Sequence, residues 1–251
     1  MYNRWCIISG PRSGSTWIEK SIYNALVIED QSAQRLQEII NPGVGLINTF
    51  RLLPNKKIEF IENKRNFLSD KDQLLTFIKT IIIHGDNDQA LTCRVFPQNN
   101  FFSVDEYMNF FKILLNNNFH FINLERNLFD RAISFYMALE TNLWHRVKTA
   151  QNQINLTSSP GKNPTVLIEP LSVNIPRFIE NYKYLKKDAE IRKYIFTHLP
   201  CMNISYENLN EDIQKSMIPF LVDDTFLKTY DQTYQKMIKN YDELLESIKD
   251  I

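Results

Sequence analysis

The first residues that could do chemistry lie between an apolar run and an amphipathic run near the start of the chain. Residues 5–8 are apolar, as in a buried strand, and residues 16 to about 27 have their apolar side chains at helical spacing. The segment that joins them reads Ser9-Gly10-Pro11-Arg12-Ser13-Gly14-Ser15-Thr16-Trp17. A strand, a loop of small residues and a helix N-terminus together aim backbone N–H groups at an anion. This segment therefore predicts a phosphate-binding loop.

The loop differs from a Walker A motif in spacing and in charge. That motif has four residues between its glycines and a lysine after the second one, whereas three residues separate Gly10 from Gly14 and Ser15 follows. The cation lies inside the loop instead, as Arg12. A phosphate ligand that is held without a magnesium bridge fits this pattern, and a sulfuryl donor is such a ligand.

A second candidate anion site follows a later strand. Residues 119–124 are predicted as a strand, and the residues after them have helical spacing. Asn127 can cap that helix with Asp130 three positions later, in a pattern close to a capping box. Arg126 is then left at the carboxyl end of the strand, and Ser134 lies two turns into the helix.

Together, the two motifs resemble those of the sulfotransferases that use 3′-phosphoadenosine 5′-phosphosulfate (PAPS). Residues 11–17 are similar to the loop that binds the 5′-phosphosulfate, and Arg126 followed eight residues later by Ser134 is similar to the 3′-phosphate motif. The stretch Ile-Ser-Tyr-Glu-Asn-Leu at 204–209 resembles a third element of the family. The sequence at 132–145 and the arginine in the first loop are most similar to bacterial carbohydrate sulfotransferases of the trehalose 2-sulfotransferase type.

The resemblance implies transfer of a sulfuryl group from PAPS to a hydroxyl group of a carbohydrate or glycolipid, with PAP as the product and no metal. The residues that it implies for PAPS binding are Arg12, Ser13, Gly14, Ser15, Thr16, Trp17, Arg126, Ser134 and Tyr206. Trp17 stacks on the adenine or packs in the core, and Tyr206 approaches the adenine or packs. The alternative functions are a divergent P-loop kinase and a non-catalytic nucleotide-binding protein.

The acceptor hydroxyl must lose a proton, so a general base is expected. In relatives of the trehalose type, the resemblance points to a glutamate just after the first helix, where this chain has Glu29 and Asp30. Glu29 is the first choice, Asp30 the second and a histidine the remaining option. Arg94 corresponds to a strand lysine that contacts the sulfuryl group in relatives, and a buried ion pair is its alternative role. The expected catalytic residues are thus Arg12, Glu29, Asp30 and Arg94.

Strands alternate with helices along the chain, which predicts a parallel sheet with right-handed crossovers. We expect one α/β domain over residues 1–251, with a P-loop-NTPase-like central sheet flanked by helices and a mobile surface loop over 151–170. Such sheets bind ligands at the carboxyl ends of their strands, where Arg12 and Arg126 both fall. Further helices are expected over residues 69–85, 103–115, 176–196, 210–221 and 234–249, and residues 31–60 have no clear assignment.

The composition limits the kinds of binding partner and the cellular location that we expect. The chain has 29 basic and 29 acidic residues, so its zero net charge gives no reason to expect a nucleic-acid partner. Three cysteines lie far apart without a C-x-x-C pair, which argues against a zinc site and a disulfide framework. With no apolar run of about 20 residues and a strand beginning close to Met1, we expect a cytoplasmic protein without a membrane anchor.

Overall fold

The apolar segments of the sequence form strands that pair in parallel. The computed structural model describes residues 4–29, 32–40, 70–84, 90–97, 102–148, 154–157, 163–165, 169–215, 218–220, 226–227 and 233–251. Within these residues the strands are β1 (Arg4–Ser9), β2 (Gln34–Glu38), β3 (Leu91–Val95), β4 (Phe119–Glu125), β5 (His145–Lys148), β6 (Ile154–Thr157), β7 (Met202–Ser205) and β8 (Phe226–Leu227). Five of them form an all-parallel sheet in the order β2-β3-β1-β4-β7. The expected parallel α/β sheet is confirmed.

The helices alternate with these strands. Those of the described residues are α1 (Ser15–Glu29), α2 (Lys71–His84), α3 (Val104–Asn116), α4 (Leu128–Thr141), α5 (Ile175–His198), α6 (Leu209–Lys215), α7 (Tyr234–Met237) and α8 (Tyr241–Ser247). Two of the predicted caps are present. Ser103 and Glu106 form a complete capping box at the start of α3, and Asn127 accepts a hydrogen bond of 3.1 Å from the backbone N–H of Asp130 at the start of α4.

Helices cover both faces of the parallel sheet. Trp5 and Ile7 of β1 point into an apolar cluster with α1, whereas Cys6 and Ile8 point into another cluster with α2 and α3. All six residues of β1 are buried. Burial on both faces is the reason that residues 5–8 of β1 are all apolar and do not alternate with polar residues.

The chain divides into two compact units, where the sequence suggests one domain. The first unit comprises Met1–Glu125 and Asp188–Val222, and it holds the parallel sheet. The second unit comprises Arg126–Lys187 and Asp223–Ile251. It has its own apolar cluster and an antiparallel sheet in the order β6-β5-β8. Strand β6 falls inside the stretch 151–170 that we expect to be a loop.

Two helix predictions need correction. The predicted helix 210–221 is shorter, because α6 ends at Lys215 and residues 218–220 are not helical. The predicted helix 234–249 is broken into α7 and α8, because Ile238 pairs with Leu171 in a parallel bridge. The side chain of Asn240 then donates to the carbonyl of Val173 and accepts from its N–H, both at 2.9 Å. These tertiary bonds replace the hydrogen bonds of a continuous helix.

A helix that crosses a bilayer needs about 20 mainly apolar residues. None of the helices in the described part of the chain is long and apolar enough to cross a membrane.

Candidate functional site

The predicted phosphate loop leaves the central strand of the parallel sheet. Strand β1 pairs with β3 through Ile8 and Val95 and with β4 through Ser9 and Leu124. The chain enters the loop directly after Ser9, so the loop begins at the carboxyl edge of the sheet, with β3 and β4 ending on either side. This is the edge at which open α/β sheets bind their ligands.

The backbone of the loop has the form of an anion cradle. Gly14 has a φ of +84° and is followed by Ser15, the first residue of α1. A residue of positive φ followed by a helical one turns successive N–H groups to the same side. The carbonyl of Gly14 accepts from Trp17 N and Ile18 N at 3.0 and 3.2 Å, which starts the helix. Arg12 also has a positive φ, of +66°.

Tyr206 packs directly on the second glycine of the loop. A Cβ atom placed on Gly14 would lie 2.4 Å from Cε2 of Tyr206, so only glycine fits there for steric reasons as well as conformational ones. The N–H of Tyr206 donates to the carbonyl of Glu125 at 2.8 Å, which fixes the residue at the end of β4. The structure thus shows the packing role of Tyr206, and its contact with an adenine stays a prediction.

Two serine hydroxyls, one at the end of β1 and one within the loop, fit a phosphate ligand. Ser9 and Ser13 are fully buried, and their Oγ atoms have no hydrogen-bond partner among the described residues. Leaving a buried hydroxyl unpaired costs about 1–3 kcal/mol. An anion in the cradle would accept hydrogen bonds at this position, so the residues present are compatible with a bound phosphosulfate.

A buried carboxylate lies one helical turn after the loop and forms ion pairs with two arginines. Glu19 of α1 has no exposed surface. Its Oε2 lies 2.9 Å from Nη2 of Arg35 and 2.9 Å from Nε of Arg94, and its Oε1 accepts from the N–H of Gln37 at 3.0 Å. We call Glu19, Arg35, Glu38 and Arg94 the loop-side ion cluster. Its two positive and two negative charges balance, which is what burial requires.

Arg94 connects this cluster to the loop. Its Nη1 donates to the hydroxyl oxygen of Thr16 in a very short contact. Because that oxygen acts as the acceptor, the proton of the Thr16 hydroxyl is turned toward another acceptor. The buried ion pair expected as one role of Arg94 is present. Its contact with a sulfuryl group remains a prediction, for which its place beside Thr16 is suitable.

Glu38 is a member of the site that the sequence did not indicate. Strand β2 contains a bulge, because Arg35 pairs with Thr92, whereas Gln37 pairs with Cys93 and Glu38 with Arg94. The extra residue switches Glu38 to the face of the sheet that carries Arg94. Its Oε1 lies 3.7 Å from Nη2 of Arg94, and its side chain is 26% exposed.

Sequence signals for these residues exist but are weak. Strand β2 reads Gln-Arg-Leu-Gln-Glu, with a single apolar residue, so periodicity gives little indication of a strand. Glu19 lies between Ile18 and Ile22 on the apolar side of α1, one turn after Thr16. An acidic residue on an apolar helix face is rarely buried unless it is paired. That anomaly was the available signal.

The structure does not bring the expected base to the loop. Glu29 is the exposed last residue of α1, and a helix of 15 residues places it about 20 Å along the axis from Ser15. Asp30 lies outside the described residues. His198 ends α5 as an exposed residue, and its Nδ1 lies 3.0 Å from the carbonyl oxygen of Tyr194. The choice of Glu29 therefore needs correction on distance.

Trp17 is half-buried and packs within the first unit. Its ring lies edge-on to Phe220, with ring centroids 5.7 Å apart and an interplanar angle of 79°. This contact shows the packing alternative for Trp17, and stacking on an adenine stays a prediction.

The second motif belongs to the second unit. Arg126 directly follows β4, and its Nη2 donates to the hydroxyl oxygen of Tyr234 at 3.1 Å. Ser134 is buried on α4. Tyr234 was not among the predicted site residues, because nothing in its sequence surroundings links it to Arg126.

A thiol lies close to the loop-side ion cluster but is not suited to act as a nucleophile. Burial raises the pKa of Cys93 well above its usual range, and the neighbouring Cys6 and the charge of Glu19 raise it further. Because the thiolate is the reactive form, Cys93 stays protonated. We therefore assign the chemistry of the site to its oxygen and guanidinium groups.

The strained backbone at Arg12 gives a first prediction. A side chain in the left-handed region costs about 1–2 kcal/mol, which glycine avoids while losing part of the gain to its greater unfolded-state freedom. We expect Arg12→Gly to have a free energy of unfolding about 0.5–1 kcal/mol above that of Arg12→Ala, measured by urea denaturation. Both variants lack the guanidinium, so the comparison isolates the backbone. A less stable glycine variant would contradict the strain.

The buried position of Glu19 gives a second prediction. Glu19→Gln leaves Arg35 and Arg94 without their shared carboxylate, and breaking a buried pair in this way costs about 3–5 kcal/mol. We expect that loss in the free energy of unfolding, measured by urea denaturation. Glu29→Gln is the matched control, because Glu29 is an exposed glutamate of the same helix and surface changes stay within about 0.5 kcal/mol. Equal effects of the two changes would contradict the role of Glu19.

Comparison with known proteins identifies no family for this chain, so a function can be proposed only from its residues and their geometry. No protein-family model matches the chain, and no curated protein matches it significantly.

Proposed function

We propose that this protein is a cytoplasmic sulfotransferase that moves a sulfuryl group from PAPS to a hydroxyl group of a carbohydrate or glycolipid. The observation that carries the proposal is the anion cradle at Gly14, which has Arg12 within the loop and the loop-side ion cluster beside it. The parallel sheet with this loop after its central strand also supports a P-loop-like ancestry. PAPS, when bound, supplies the sulfuryl group and a PAP leaving group.

The loop would hold the phosphosulfate and stabilise the charge that develops on the bridging oxygen. Arg12, the N–H groups at the start of α1 and the hydroxyl of Thr16 are donors in one segment. Fixed donors of this kind lower the barrier because they are already oriented when the charge appears, and each is worth about 3–4 kcal/mol. Arg94 holds the Thr16 hydroxyl in its orientation.

Glu38 is the carboxylate best placed to take the proton of the acceptor. Both oxygens of Glu19 are occupied and its side chain is buried. Glu38 lies on the same cluster but is partly exposed, so an acceptor can reach it. In the transfer, the acceptor oxygen forms a bond to sulfur while the bond from sulfur to the bridging oxygen breaks. The hydroxyl proton passes to Glu38.

Arg126 and Ser134 are proposed to bind the 3′-phosphate. A guanidinium can hold a phosphate with two parallel hydrogen bonds, and a serine hydroxyl adds a further donor. Arg126 comes immediately after β4, whose last residues pair with the end of β1.

Nucleotide specificity tests the proposal first. The hydrogen bonds of Arg126 and Ser134 to a charged group are worth about 1.5–3 kcal/mol each, so PAP should bind at least tenfold more tightly than AMP in calorimetry. Radiolabelled PAPS should also transfer its label to a member of a panel of sugars, glycolipids and phenols. Arg12→Ala should lower kcat about 100-fold or more.

Other outcomes identify the alternatives. Equal affinities for PAP and AMP would contradict the 3′-phosphate assignment. Magnesium-dependent ATP turnover would indicate a divergent P-loop kinase instead. Tight binding of PAP without transfer to any acceptor would indicate a non-catalytic nucleotide-binding protein.

The assignment of the base can be tested with two glutamates. Glu38→Gln should lower kcat for label transfer by about 100-fold or more, with the affinity for PAP unchanged, since the amide cannot take the proton. Glu29→Gln should leave both quantities unchanged, because Glu29 lies at the far end of α1. Loss of activity in Glu29→Gln with full activity in Glu38→Gln would reverse the assignment.

A further inference from the structure

The closing segment of the chain contacts the proposed 3′-phosphate motif through one side chain. Tyr234, the first residue of α7, accepts a hydrogen bond of 3.1 Å from Nη2 of Arg126. Both residues belong to the second unit and both are half-buried. We propose that the Tyr234 hydroxyl is a further ligand of the 3′-phosphate and binds it together with Arg126. This inference rests on the proposed function.

The hydrogen bond between Arg126 and Tyr234 is compatible with the binding of one anion by both side chains. A guanidinium carries five N–H donors, and the bond to Tyr234 uses one of them. The phenol oxygen serves as the acceptor, so the phenol's own proton can be donated to a phosphate oxygen. Two donors 3.1 Å from each other can be shared by the oxygens of a single phosphate, and bonds to a charged acceptor are the stronger kind. A phosphate also carries the charge opposite to that of a guanidinium, which favours its binding beside Arg126.

The position of Tyr234 is fixed from two sides. Its ring packs against the apolar cluster of the second unit, which directs the polar end of the side chain outward from the cluster. The backbone after it is tied to residue 171, because Leu171 N donates to Met237 O at 2.7 Å and Lys239 N donates to Leu171 O at 2.9 Å.

These ties are also what divides the closing helix into α7 and α8. A ligand group that is held before binding loses less conformational freedom when the ligand arrives. The break in the closing helix therefore places Tyr234 in advance beside Arg126, and the hydroxyl is ready to donate when the nucleotide binds.

Tyr234→Phe tests this ligand, because it removes the hydroxyl and keeps the ring. The affinities of the full-length variant for PAP and AMP are measured by calorimetry. We expect the affinity for PAP to fall about tenfold or more, since the bond lost is to a charged group, and the affinity for AMP to stay unchanged. Tyr241→Phe is the matched control, because Tyr241 belongs to the same apolar cluster and its ring lies on Phe129 with a centroid distance of 5.5 Å.

The results that would contradict the role of Tyr234 can be told apart from those that would contradict the proposed function. If the wild-type protein prefers PAP and Tyr234→Phe keeps the whole preference, Tyr234 is not a ligand. A fall in the affinities for PAP and AMP together, with a lower melting temperature, would make Tyr234 a structural tie and also overturn the inference. If the wild-type protein itself does not distinguish PAP from AMP, the protein has no 3′-phosphate site, and both the proposed function and the role of Tyr234 are overturned.

Discussion

The arrangement around the loop depends on the carboxylate of Glu19. Removing a carboxylate and two guanidinium groups from water costs several kcal/mol for each ion, and only close pairing offsets that cost. Glu19 meets this requirement with both oxygens, since one accepts from the bulged backbone of β2 and the other contacts Arg35 and Arg94. The first helix, the second strand and the third strand are thereby joined at one point. Because the cost of separating any member is high, Arg94 is held against Thr16 as a fixed feature of the loop.

The parts of the fold and site that could be predicted from the sequence are those encoded by neighbouring residues. The strand, loop and helix around Arg12 are contiguous, and so are the strand, cap and helix around Arg126. Their apolar spacing and capping residues indicate each element directly, and the parallel order of the strands follows from the alternation of elements. For this reason the loop and the strand ends were located correctly.

The remaining parts depend on contacts between distant residues. Glu38 reaches Arg94 only because β2 lies beside β3 and contains a bulge, and neither fact is visible in a five-residue segment with one apolar side chain. The closing helix breaks because Asn240 finds partners at Val173, 67 residues away. Glu29 is different, since the length of α1 alone shows that its last residue is far from its first. Each residue of a helix adds about 1.5 Å along its axis, so a residue that follows a 15-residue helix is distant from the loop that precedes it.

The bulge in β2 has a consequence for how the site can change. Side chains alternate between the faces of a strand, so the face on which Glu38 lies is set by the number of residues that precede it and not by its identity alone. If one of the two residues between Arg35 and Glu38 were deleted, the bulge would disappear and regular alternation would keep the carboxylate on the face of Arg94. A strand of unchanged length that paired without the bulge would instead turn Glu38 to the apolar face, so the irregular pairing of β2 is what keeps this carboxylate at the loop-side ion cluster.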